Sequence, residues 1–249
     1  MPENAWIGEL IAAAVYIMVG FRLARLASRT GERPEKLLSG MFFFTGISYI
    51  LYLIPMAIPV EALWTPFSFA GRVIYIPAPI LLALFTRDVF RSEGRLPMFI
   101  VYATAGLLVL GVGASAIMGD WEGYSLSNPF FWFEWVGYSI PFVWAGAEAL
   151  VQYRSSLRRH RLGLCERIVC NRFLLWACFG ALQFALSFVL LAMYLEFEAN
   201  HAFPAFLDRL TAVIELVSLT LIWFVFFPPR VYQKLVAGSS ADGYSAQRT

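Results

Sequence analysis

The run LPMFIVYATAGLLVLGVGASAIM, residues 96–118, decides the fold, because its 23 residues include no Asp, Glu, Lys, Arg or His. As an α-helix it is about 35 Å long, enough to cross the roughly 30 Å hydrocarbon core of a bilayer. Arg95 and Asp120 bracket it with opposite charge. The same reading along the chain predicts six more spans, at 5–26, 37–58, 65–86, 129–152, 172–196 and 206–228, all with short separators. Composition agrees. Of 249 residues, 59% are hydrophobic and 14% charged, against about 45–50% and about 25% in soluble domains. Such a chain has too little charge for a disordered or nucleic-acid-binding protein and too little cysteine for a disulfide scaffold. The expected class is all-α, a polytopic membrane protein with one seven-helix domain over 1–236. A disordered tail is expected at 237–249, beyond the helix stop at Pro228 and Pro229. Met1 to Ala5 has neither basic region nor cleavage site, so the first helix reads as a span.

Orientation follows from the basic residues, which stay on the cytoplasmic side. Seventeen of the 19 lie in or beside the first, third and fifth loops and the tail, whereas Glu61, Asp120, Glu122, Glu196 and Glu198 mark the opposite loops. The N-terminus is therefore expected outside and the C-terminus inside, consistent with an odd number of spans. The net charge of +2 is an average over a basic face and an acidic one. Leu157, Leu162, Leu164, Ile168 and Val169 among the arginines of the fifth loop predict a short surface helix. Helices 1–3 and 5–7 share enough pattern to suggest a repeat around helix 4, as in some small transporters.

Charge within a bilayer needs a partner or a water-filled site. Counted at 1.5 Å per residue, Glu9, Arg72, Glu134, Asp208 and Arg209 fall within roughly the outer 5–12 Å, and Glu215 lies roughly 10–15 Å deep. Helical spacing puts Glu134, Tyr138 and Glu148 on one stripe, Asp208, Thr211, Glu215 and Ser218 on another, and Arg72 with Tyr75 on a third. Turned inward, these stripes enclose an outward-facing cavity whose candidate ligand-binding residues are Glu9, Arg72, Tyr75, Glu134, Tyr138 and Glu215. Four acids against two arginines favour a cationic or amphipathic ligand. Equally, Arg72 can lock to Glu134, Glu9 or Glu215 as an ion pair that fixes helix registry. Glu148, near the inner end, is expected to pair with a loop arginine. Helix 3 should kink at Pro77 and Pro79.

Several chemistries lack their parts. No lysine lies between Lys36 and Lys234, so a retinal Schiff base has no anchor. With two histidines, His160 and His201, neither bis-histidine haem nor a histidine-rich metal centre is expected. Cys165 and Cys170, without a second pair, read as free thiols, and Cys178 as packing. No cofactor, metal or catalytic residue is expected, and an enzyme is not the reading.

Four motifs carry a resemblance: Phe-Thr-Arg-Asp-Val-Phe-Arg at 85–91, Asn-Pro-Phe-Phe-Trp at 128–132, Asn-Arg-Phe-Leu-Leu-Trp at 171–176 and Phe-Phe-Pro-Pro at 226–229. Through them the chain resembles a functionally unassigned group of bacterial seven-helix membrane proteins. More loosely, around helix 3, it is similar to the seven-helix sensory region of bacterial histidine kinases. The leading expectation is a receptor-like module of the bacterial inner membrane whose outward-facing polar cavity binds a small molecule. Here no kinase or cyclase follows helix 7, so signalling is expected to pass through a separate partner or a homo-oligomer. A small-molecule or ion transporter is the second expectation, and a structural or assembly subunit the third.

Overall fold

The computed structural model describes residues 5–58, 60–123, 125–200, 204–233 and 236, leaving aside the side chains of 5–9, 56 and 61. They form eight helices: α1 Ala5–Thr30, α2 Arg33–Ala57, α3 Glu61–Tyr75, α4 Pro77–Phe90, α5 Arg95–Ile117, α6 Pro129–Arg161, α7 Arg167–Asn200 and α8 Ala205–Phe226. Among the described residues there is no strand. Six stretches are long and apolar enough to cross a membrane: α1, α2, α3 with α4, α5, α7 and α8. The expected fifth span, α6, has the length at 33 residues, but its polar residues keep it out of that set. The tail at 237–249 and His201 lie outside the described residues.

The expected third span, 65–86, is two helices meeting at Ile76. Pro77 opens α4, and Ile76 N donates to Val73 O at 3.3 Å, a tighter turn than the α-helical one. A proline has no N–H to give to the preceding turn and its ring crowds the carbonyl there, which forces the break. The expected surface helix between α6 and α7 is absent. Instead α6 runs on to Arg161 and α7 begins at Arg167, so the polar residues after 152 extend a helix that was expected to end there. Leu164 N reaches Arg159 O at 2.9 Å and Gly163 N reaches His160 O at 2.9 Å, which closes α6 in a Schellman turn.

Glycines set how closely the helices approach. Gly20 and Gly46 lie where α1 meets α2, and Gly146 and Gly180 face each other between α6 and α7. An apolar core of Tyr16, Leu23, Phe42, Leu82, Phe142, Trp176, Phe179 and Ile222 fills the bundle from its middle towards the arginine-rich end. That end is tied by Arg33 to Asp88 at 3.0 Å and by Arg91 to Glu148 at 2.9 Å, the latter between a loop arginine and Glu148. Helix α5 lies at the edge, against α4 and α6, with Leu96, Phe99, Val109, Leu110 and Ile117 facing outward. An apolar outer face of this kind suits lipid, not water.

Candidate functional site

Arg72, near the end of α3, is 4% exposed. An isolated arginine in hydrocarbon costs about 2.5–3.5 kcal/mol or more, so its five donors need acceptors. Four are engaged. Nε donates to Glu134 Oε1 at 3.2 Å and Nη2 to Glu134 Oε2 at 2.5 Å, while Nη1 donates to the carbonyls of Asp120 at 2.9 Å and Trp121 at 2.8 Å. Glu134 stands one turn into α6, which Asn128 caps by accepting from Phe130 N at 3.0 Å. One turn on, Tyr138 donates its hydroxyl to Glu134 Oε1 at 3.0 Å, and its ring lies 5.1 Å from that of Tyr75. The ring of Tyr52 of α2 packs against Gly71, the residue before Arg72.

The loop that Arg72 holds is itself prearranged. At the end of α5, Gly119 takes φ +84°, a conformation that costs a residue with a side chain, and Asp120 N returns to Ser115 O at 2.9 Å. The Asp120 carboxylate accepts from Gly123 N at 2.9 Å and from Asn128 Nδ2 at 3.0 Å. Asn128 Nδ2 also reaches Ser115 Oγ at 2.9 Å. Gly123 lies flat against the guanidinium, for a Cβ there would stand 2.3 Å from Arg72 Cζ. The backbone at 120–121 is thereby aimed at Arg72.

Glu215 belongs to a second cluster. It is 6% exposed in α8, and Tyr49 of α2 donates its hydroxyl to Oε1. The ring of Tyr16 of α1 lies 5.5 Å from that of Tyr49, tilted to it by 49°. Tyr49 and Tyr52 are three residues apart on one face of α2. Of the expected binding residues, then, Arg72, Tyr75, Glu134 and Tyr138 come together, and Glu215 sits with α1 and α2. The side chain of Glu9 lies outside the described residues. Asp208 is half-buried in the first turn of α8 and Arg209 is exposed.

Beside the 119–125 loop is an open crevice of about 450 Å³, lined by Thr65, Gly119, Asp120, Trp121, Glu122, Ser125, Phe197 and Glu198. Among the described residues its wall carries three carboxylates, two aromatic rings and no lysine or arginine. Thr65 Oγ1 donates to Glu122 at 2.7 Å and Ser127 Oγ to Glu198 at 2.8 Å, so both acids are held in place. The sequence reading placed Arg72 and Glu134 in a cavity wall; the structure puts them behind the wall of this one. Asp120 and Glu198 entered the sequence reading only as topology markers. A clue was present, since Asp120, Glu122 and Glu198 share the end of the chain that carries no basic loop. Among the described residues, no group of three or more His, Cys, Asp and Glu is arranged to hold a metal ion.

No protein-family model matches the chain, and neither a curated protein nor a solved structure does. The likeness to bacterial seven-helix proteins rests on the four motifs alone.

Proposed function

We propose that the chain is a seven-span, receptor-like membrane protein whose outer crevice takes a small organic cation and whose Arg72 reads the loop lining that crevice. One observation carries the reading: Asp120 and Trp121 line the crevice, and their carbonyls are held by a buried arginine already paired to α6. A ligand that shifts this loop must disturb the grip between α3 and α6. The volume lies within the roughly 300–1,000 Å³ usual for small-molecule sites. The rings of Trp121 and Phe197 offer faces to a cation, and the carboxylates supply complementary charge.

In this reading α6 is the seventh span, because its outer-half charge, Glu134, is paired with Arg72 and its inner one, Glu148, with Arg91. The basic loops face the cytoplasm, the crevice faces outward and the bilayer is a bacterial inner membrane, as the charge distribution favours. The test is calorimetric titration of tetraethylammonium into the protein in nanodiscs. Saturable heat that disappears in Glu122→Gln/Glu198→Gln is expected, and equal heats in both proteins would defeat the proposal.

A transporter is the second reading, favoured by the break at Ile76 beside Tyr75, since broken helices line substrate paths in many transporters. Liposome uptake of tetraethylammonium lost in Glu215→Gln supports transport; binding without uptake supports the receptor.

A further inference from the structure

The turn between α6 and α7 brings two thiols together. Glu166 is the residue before α7, and its carbonyl accepts from Val169 N at 3.1 Å and Cys170 N at 3.4 Å. Cys165 is therefore N′ and Cys170 is N4, the two positions whose side chains meet across a helix start in a hydrophobic staple. Cys165 Sγ donates to Glu166 O at 3.6 Å, which holds it at the start of α7 on the side of Cys170. Cys165 is partly exposed and Cys170 is 2% exposed. Two anchors fix the turn: the Schellman bonds to Arg159 and His160, and His160 Nδ1 lying 2.8 Å from Cys165 O. Arg161 and Arg167 flank the turn, and the start of a 34-residue helix lies beside it.

We propose that Cys165 and Cys170 form a reversible dithiol–disulfide pair oxidised by hydroperoxide. The Cys165 thiolate attacks the peroxide oxygen, the O–O bond breaks, and hydroxide leaves and is protonated to water, giving Cys165 sulfenic acid. The neighbouring Cys170 sulfur attacks the sulfenic sulfur and displaces its hydroxide, which takes the Cys170 proton as a second water. Two electrons pass from the thiols to the peroxide, and S–S replaces two S–H bonds. Exposure makes Cys165 the attacking sulfur, and burial beside it makes Cys170 the resolving one. Asn171, next in the chain, donates to the Tyr232 hydroxyl, so the pair lies against the tie between α7 and the segment after α8.

Trypsin supplies the readout, because Arg167 lies between the cysteines and separates peptides 162–167 and 168–172. The full chain in nanodiscs is treated with hydrogen peroxide, alkylated, digested and measured by mass spectrometry without reduction. The expected result is one linked species, two hydrogens lighter than the sum of the peptides and split by dithiothreitol. Cys170→Ser should instead leave Cys165 as a sulfenic acid that dimedone traps. Cys178, exposed in the same helix, is the internal control. Alkylated free peptides at peroxide levels that already oxidise Cys178, or over-oxidation of Cys165 without a link, overturn the proposal.

Discussion

Arg72 and Glu134 join α3 to α6 through two parallel hydrogen bonds, and the remaining nitrogen of the same guanidinium grips the backbone of the outer loop at Asp120 and Trp121. One side chain therefore ties two helices to the loop that lines the crevice.

Removing either charge leaves the other buried alone. Arg72→Met or Glu134→Leu is expected to cost about 3–5 kcal/mol of stability, whereas the double variant Arg72→Met/Glu134→Leu should cost much less than the sum. Unfolding in mixed micelles measures all three. A double variant as unstable as the two singles added together would show that the ion pair is not the tie.

Gly123→Ala should loosen the latch, since φ is +76° and the new methyl would overlap the guanidinium. A loss of about 1–3 kcal/mol is expected from strain and overlap together. Gly113→Ala in α5 is the control, having open space around its position. It should be neutral or slightly stabilising. Equal effects at the two sites would contradict the packing described.

At Gly180 an added Cβ would stand 2.7 Å from Gly146 Cα and 2.8 Å from Phe142 O, both backbone atoms. Because neither can turn aside, Gly180→Ala is expected to force α6 from α7 and to cost about 1–3 kcal/mol. Thermal unfolding in micelles checks it, with Gly106→Ala, whose surroundings are open, for comparison.

Tyr49→Phe removes a hydroxyl that donates to the buried Glu215 carboxylate. A double-mutant cycle with Glu215→Gln should return a coupling of about 1.5–3 kcal/mol, the range for hydrogen bonds to charged groups. A coupling near zero would remove this contact from the account.

Periodicity made much of this legible. Glu134 and Tyr138 are one helical turn apart, so their meeting needed only spacing, and the break at Pro77 needed only the missing N–H. Glu148 reached a loop arginine because both lie at the basic end. What could not be read was anything resting on backbone acceptors. The carbonyls of Asp120 and Trp121 carry no residue identity, and the turn that aims them depends on Gly119. Nor could the partners of adjacent polar residues be read: Ser48 bonds Gly71 O at 3.0 Å and Tyr49 bonds Glu215, since neighbours on a helix face different partners. Residues 153–161 read as a loop because they are polar; helix formation does not require that the helix be immersed in lipid.

The central claim, that a cation in the crevice is felt through the loop held by Arg72, is tested most directly by hydrogen exchange. Peptides covering 119–128 are followed in nanodiscs as tetraethylammonium is added. The account predicts saturable slowing of exchange in the native chain and none in Glu122→Gln/Glu198→Gln. In Arg72→Met the slowing should stay within the loop, no longer extending to the first turns of α6. Exchange in 119–128 that is unchanged at every concentration in the native chain would contradict it.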